Sequence, residues 1–258
     1  MKLTFIFIFL LLNVCLANEC EFKVSMGALE YNKSTISYLA KKIAGKNIVF
    51  FGEDHADWEE NVYLDLLPQL DKELDNRLIL KKCLILEQPE KIFGSTLETY
   101  NQYIGENGKI IWNSALFKEK ESNKILVDKK SESRHKEYYA LTYSLLARRA
   151  MARGWKVYSV DEYKLCENLQ YKDELKCRNR FMAERIKNLM DKECRFSLAI
   201  NGSHHHANEM SFDQTILNLV LEKSNFSIDS IHVVQLITLG QINSTVNIAA
   251  DDMVMGGK

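Results

Sequence analysis

The sequence predicts an α/β fold with a mostly parallel central sheet flanked by helices. Short β-rich runs alternate with longer amphipathic helical patterns along the chain. The β-rich runs are continuously apolar, which is typical of strands that helices cover on both faces. With only two prolines and no linker or internal repeat, no boundary divides residues 18–258, and we expect a single domain there.

The N-terminus predicts a secretory signal peptide over residues 1–17. Lys2 precedes an apolar run at 3–12, and Cys15 and Ala17 have the spacing of a cleavage site after Ala17. The run is too short to span a bilayer, and no later stretch approaches about 20 apolar residues. We therefore expect a soluble mature chain, secreted or periplasmic, with no stable membrane span.

The charge balance argues against nucleic acid as a partner. The chain has 34 Lys and Arg against 35 Asp and Glu, a net charge of -1. Neutralising phosphates requires a surplus of basic side chains on one face. We expect a small-molecule or peptide substrate and no nucleic acid, while the oligomeric state stays open.

Five runs are predicted to be strands, at 48–51, 83–86, 155–160, 196–200 and 231–239. After the first, Asp57 and Glu60 resemble a capping box, and one helical face is formed by Val62, Leu66, Leu67, Leu70 and Leu74. A second face, in a helix ended by Gly154, contains Tyr139, Tyr143, Leu146, Ala147 and Ala150. A third contains Leu175, Met182, Ile186, Leu189 and Met190. This alternation predicts right-handed βαβ units in an open sheet.

A polar insertion at 105–136 interrupts the alternation, and it is rich in Lys, Glu, Ser and Asn. A solvated surface insertion is the simpler interpretation. The alternative is a lid over a site, with Trp112 or Phe117 as its apolar contact.

Five cysteines remain after the predicted cleavage, without metal-ligand spacing. An oxidising compartment permits disulfides, and Cys166 and Cys177 are the closest candidate pair. Cys83 lies in a strand-like run, so it is predicted to be an inert core thiol.

Polar side chains follow four of the predicted strands where each strand ends. They are Gly52-Glu53-Asp54-His55, Glu87-Gln88, Asp161-Glu162 and the segment Asn201-Gly202-Ser203-His204-His205-His206. In open α/β sheets the ligand crevice lies at the carboxyl ends of the strands. The sequence therefore predicts a polar site at one edge of the sheet.

His55 and His205 are the central candidates for chemistry. Two imidazoles with nearby carboxylates can bind a divalent metal ion, which makes a nucleophile of a bound water. Without a metal, a histidine supported by a glutamate can act as a general base. Glu53 or Asp54 could instead cap the following helix, and Asp161 and Glu162 are also typical capping residues.

These segments together resemble a known superfamily. Both loops fit a Gly-x-x-His pattern, as GEDH ending at His55 and GSHH ending at His205. With the strand-end Glu87 of LILEQP and the helix segment RNRFMA at 178–183, the chain resembles the superfamily of ChaN-like haem-binding uptake proteins, Tiki (TraB) proteins and erythromycin esterases. The resemblance runs from about residue 46 to residue 239.

The resemblance implies an α/β fold with a His and Glu site, used for metal-dependent hydrolysis in some members and associated with haem in ChaN-like ones. It assigns the catalytic roles by position to Glu53, His55, Glu87, Arg178 and His205, with Arg180 replacing Arg178 if the register is shifted. The implied metal ligands are His55, Glu87 and His205. ChaN-like members tend to carry another histidine about four residues after the first, where this chain has Glu59.

The leading hypothesis is an exported metal-dependent hydrolase, of esterase or peptidase type. The alternative is a ChaN-type haem-binding protein that acts in iron uptake without catalysis. Its axial ligand would come from Tyr138, Tyr139 and Tyr143 or from the run His204, His205 and His206. A third possibility is that the fold serves recognition of a partner.

Overall fold

A computed structural model of the 258-residue chain describes most of the predicted sheet and its helices. The described residues are 29–53, 57–89, 94, 97–98, 101–102, 104, 145–206, 215–223, 226–238 and 250–256. The predicted signal peptide, the insertion at 105–136 and His55 lie outside them. None of the helices in these ranges is long and apolar enough to cross a membrane.

The described strands form one seven-stranded sheet in which each pairing is parallel. Their bounds are β1 Leu29–Glu30, β2 Ile48–Glu53, β3 Lys82–Pro89, β4 Lys156–Asp161, β5 Phe196–Gly202, β6 Ile231–Thr238 and β7 Asp252–Gly256. The spatial order is β1-β7-β6-β2-β5-β3-β4. The predicted α/β fold is confirmed, and the five predicted runs are strands β2 to β6.

Helices cover the sheet and connect its strands. Their bounds are α1 Lys33–Ile43, α2 Asp57–Asn76, α3 Tyr163–Cys166, α4 Tyr171–Lys192 and α5 Ile216–Lys223, and residues 145–151 are also helical. Helix α1 begins where the Asn32 side chain accepts hydrogen bonds from the backbone N–H groups of Ser34 and Thr35, which satisfies two of the unpaired donors at a helix N-terminus. Short 3-10 turns occupy Ser203–His206 and Ile228–Ser230.

The core has two layers because alternate side chains of each strand project to opposite faces. On one face, Val49 and Phe51 pack with residues of α1 and α2. On the other face, Ile48 and Phe50 pack with residues of α4 and α5. Both faces are therefore apolar, which explains why the strands appear in the sequence as unbroken apolar runs.

The predicted helical faces are confirmed wherever they fall on described residues. All five predicted apolar residues of α2 are fully buried, and so are Leu146, Ala147 and Ala150 in the helical segment at 145–151. Gly154 follows that segment with a φ of 79°, a left-handed conformation that glycine adopts without steric cost. In α4, Leu175, Met182, Ile186 and Met190 are buried, and Leu189 is partly buried against the same core. Tyr139 and Tyr143 lie outside the described part of the chain.

Two disulfides link described residues. The predicted pair Cys166–Cys177 is confirmed. The prediction for Cys83 is wrong, because Cys83 is bonded to Cys194, which is 111 residues away in the sequence. Cys194 lies just before β5, the neighbour of β3, so the sheet brings together two cysteines that no sequence spacing connects. Two disulfides are compatible with an exported protein.

Candidate functional site

The carboxyl ends of four neighbouring parallel strands form one edge of the sheet. Glu53 at the end of β2 pairs in register with Gly202 at the end of β5. Strand β3, with Glu87, lies on the other side of β5, and β4 ends beside it at Asp161. The structure thus brings the predicted strand-end residues that it describes to a common edge.

Glu87 is the centre of a buried polar cluster at this edge. Its side chain is 9% exposed, and Oε1 accepts a hydrogen bond from Nη2 of Arg178. The same oxygen lies 3.0 Å from Nε2 of His205, and Oε2 accepts from the backbone N–H of Gly202 at 2.6 Å. Three donors from β5, the following turn and α4 therefore fix one carboxylate.

Arg178 joins Glu87 to a second carboxylate. Its Nε and Nη2 donate to Oδ1 and Oδ2 of Asp161 at 3.1 and 3.0 Å, a bidentate arrangement. Burial alone lowers the pKa of Arg178, but the charges of Glu87 and Asp161 raise it above its ordinary value. Burial raises the pKa of Asp161, and Arg178 opposes that rise. Arg180, the alternative in the sequence prediction, is exposed on the same helix.

His205 has an acceptor at each ring nitrogen. Nε2 faces Glu87, and Nδ1 hydrogen-bonds Oδ1 of Asn179 on α4. The ring is only 2% exposed and both of its nitrogens contact protein groups, so His205 holds Glu87 in place.

His206 is the next residue, and its surroundings differ. It is 4% exposed, and its ring lies edge-to-face with Phe50 at 5.6 Å between centroids. The pKa of His206 is lowered to about 3, mainly by burial and also by the charge of His205, while the charge of Glu87 opposes the shift. Its ring is therefore neutral at ordinary pH. The sequence prediction did not distinguish it from the other histidines of the run.

Glu53 lies on the other face of the sheet from Glu87. It shares a face with Val49 and Phe51 and accepts a hydrogen bond from Oη of Tyr63 at 2.8 Å. Burial and the charges of Glu53 and Glu59 raise the pKa of Tyr63. The predicted acid beside the first histidine is thus engaged with α2 and is 3% exposed.

Gly52 has a specific role at this edge because Gln235 of β6 lies over it. A Cβ atom at position 52 would stand 2.1 Å from Oε1 of Gln235. We expect Gly52→Ala to displace Gln235 and to lower the free energy of unfolding by about 1–3 kcal/mol in chemical denaturation. Gly45→Ala is the matched control, since its Cβ would meet Arg77 only at 3.5 Å. Equal stability of the two variants would contradict this prediction.

The described residues do not fit a divalent metal ion. Among them, no group of three or more His, Cys, Asp and Glu side chains could hold a metal. Glu87 and His205 are adjacent, but Arg178 donates to the same Glu87 oxygen, and both nitrogens of His205 face acceptors. A cation there would lie beside a fixed positive charge, which disfavours it. His55, the third predicted ligand, lies outside the described residues.

The predicted haem ligands differ in accessibility. Tyr138, Tyr139 and Tyr143 lie outside the described part of the chain. His205 and His206 are buried, whereas His204 is exposed, with its ring 6.3 Å from that of Tyr171 between centroids. Of the described candidates, His204 is the one that a large planar ligand could reach.

Comparison with known proteins shows similarity in fold. No protein-family model matches the chain, and no curated protein matches it. The solved structure titled "Cofacial heme binding to ChaN of Campylobacter jejuni" is similar with a TM-score of 0.49 and 14% identity, covering 82% of this chain and 87% of that one. The type III effector HopBA1 is similar with a TM-score of 0.48 and 13% identity, covering 86% of this chain and 93% of that one.

Proposed function

We propose that this chain is an exported hydrolase that acts on a carbonyl compound, such as an ester or a peptide. The observation that carries the proposal is the buried cluster of Glu87, Arg178 and His205 at the carboxyl ends of the strands. Arg178 and His205 contact Glu87 there although they lie 91 and 118 positions after it in the sequence. The carboxyl ends of the strands are where open α/β sheets place their ligand sites.

A structural role explains this cluster less well than a functional one. Burying an ion pair costs several kcal/mol of desolvation per ion. Well-packed apolar residues in the same place often stabilise a fold at least as much as the ion pair does. Here Glu87, Asp161 and Arg178 are all largely buried, with side chains 9%, 4% and 17% exposed. Strongly perturbed ionisable groups concentrate at functional sites.

The proposed division of roles follows from which groups are already engaged. Glu87 is held by three donors and His205 has both nitrogens in contact, so these residues are suited to fixing charge and geometry. His55, two positions after Glu53 in the sequence, is the proposed general base that takes a proton from water as it attacks the carbonyl carbon. It returns that proton to the leaving alcohol or amine as the C–O or C–N bond breaks. No step of this proposal requires a resident metal ion.

The test is a screen of the purified full chain against ester and peptide substrates. We expect His55→Ala to lower kcat/KM by about 10²–10⁴-fold, and dialysis against a chelator to leave activity unchanged. His204→Ala is the matched control, because His204 is exposed in the same turn as His205. Activity that survives both His55→Ala and His205→Asn in folded protein would contradict the proposed site, and no hydrolysis by the unsubstituted chain would contradict the hydrolase proposal.

Haem binding is the second candidate, and the exposed pair of His204 and Tyr171 favours it. These two side chains could supply an axial ligand and a stacking surface. Titration with haem would then give a saturable shift of the Soret band that His204→Ala abolishes. Such a shift, together with no hydrolysis in the screen, would replace the hydrolase proposal.

A further inference from the structure

Four polar atoms at the carboxyl ends of β5 and β6 are buried without a hydrogen-bond partner in the described part of the chain. They are Oδ1 of Asn201, both ring nitrogens of His206 and Oε1 of Gln235. The three residues are 0%, 4% and 2% exposed. The great majority of buried polar groups in folded proteins are paired with protein or ordered water, so a cluster of such atoms requires a specific explanation.

The three residues surround Gly52 on one face of the sheet. Asn201 and Gln235 are the register partners of Gly52 on its two sides, and all three positions share the face of Phe50. Oε1 of Gln235 lies 2.1 Å and Cδ2 of His206 lies 3.4 Å from the point where a Cβ of Gly52 would be. Because Gly52 has no side chain, Gln235 and His206 can both lie close to this point.

The unpaired atoms have a definite balance of donors and acceptors. Nε2 of Gln235 already donates to the Leu236 carbonyl at 2.8 Å, and Nδ2 of Asn201 contacts Sδ of Met182 at 3.8 Å. Two amide oxygens are left as acceptors, and a neutral His206 ring offers one donor and one acceptor. One water molecule can donate to both amide oxygens and accept from the N–H of the His206 ring, so it would pair three of the four atoms. None of the three side chains carries a charge that would recognise an ion.

We propose that Asn201, His206 and Gln235 bind one buried water molecule that bridges the Ser203–His206 turn to strand β6. Because His205 belongs to that turn and contacts Glu87, the bridge makes His206 and Gln235 positioning residues for the Glu87 cluster. This inference concerns the fold at the sheet edge and holds whether or not the chain is a hydrolase.

The first test is a crystal structure of the full chain at a resolution that shows ordered water. We expect a single oxygen atom at about 2.7–3.2 Å from at least two of the four polar atoms. The proposal is overturned if these atoms pair directly with protein groups, or if anomalous scattering identifies a metal ion at that point.

The second test compares the thermal stability of Gln235→Leu, His206→Leu and the double variant. If a water bridges the atoms, each single change leaves the others unpaired and lowers Tm by about 2–8 °C, and the double change costs less than the sum. If no molecule bridges them, His206→Leu leaves Tm unchanged or raises it, Gln235→Leu costs only the hydrogen bond from Nε2 to the Leu236 carbonyl, and the two effects add.

Two further variants keep this test decisive. Ser159→Ala removes another buried unpaired oxygen, on strand β4 at the edge of the sheet, and reports the effect of losing such an atom outside the cluster. His206→Gln keeps one donor and one acceptor and should retain most of the wild-type Tm. If His206→Gln loses as much stability as His206→Leu, the water bridge is wrong.

Discussion

Replacing Arg178 with methionine is expected to lower the free energy of unfolding by about 3–5 kcal/mol near neutral pH. Arg178 is the described cation that contacts both Glu87 and Asp161, with Nη2 donating to one oxygen of each. Methionine matches much of its length but leaves two buried carboxylates facing each other. Urea denaturation monitored by circular dichroism would measure the loss.

The loss should depend on pH in a defined direction. Burial already raises the pKa of Asp161 above its unfolded value, and removing Arg178 raises it further. A carboxyl group whose pKa is higher in the folded than in the unfolded state stabilises the folded state when the pH is below the unfolded pKa. This stabilisation is lost as the pH rises through the folded pKa. The deficit of the Arg178→Met variant should therefore shrink as the pH falls from neutral toward the range in which Asp161 is protonated.

Arg180→Met is the control for the Arg178 prediction, because Arg180 is exposed on the same helix and surface changes usually stay within about 0.5 kcal/mol. Arg178→Lys keeps the charge but not the bidentate geometry, and an intermediate loss is expected. If Arg178→Met is as stable as Arg180→Met at neutral pH, the two carboxylates do not depend on the guanidinium.

The central strands were predictable because a strand that is buried on both faces has a continuously apolar sequence. Strand β2 shows this at 48–51, where each residue is apolar and buried. Strands β1 and β7, at one end of the sheet, were not predictable in this way. Strand β1 is only two residues long, and in β7 buried and partly exposed residues alternate. Neither pattern stands out from the irregular segments around it.

The site was predictable in its location and only partly in its contacts. Parallel strands end at one edge, so Glu87 and Asp161 could be placed together without coordinates. The position of Glu53 on the opposite face could also be predicted, because alternate residues of a strand face opposite sides of the sheet. Glu53 lies two residues after Phe51 and therefore shares its face. By contrast, the contact of Asn179 with His205 depends on how α4 packs on the turn after β5, which no local pattern encodes.

The bond between Cys83 and Cys194 is expected to stabilise the fold more than the bond between Cys166 and Cys177. It closes a separation of 111 residues against 11, and the loss of unfolded-chain entropy grows with loop length, to about 4–5 kcal/mol for a loop near 100 residues against about 3 for one near 15. The variant Cys83→Ala/Cys194→Ala should therefore lose about 2–5 kcal/mol in urea denaturation.

The paired variant Cys166→Ala/Cys177→Ala is the control, with a smaller loss expected. Cys83 and Cys194 are 0% and 3% exposed, and Cys166 is 0% exposed, so removal of buried sulfur atoms contributes in both variants and the comparison isolates much of the loop term. The prediction is wrong if the short-range pair proves the more stabilising. If it holds, the chain depends for part of its stability on a bond that forms between distant segments only in an oxidising compartment, which matches the proposed export.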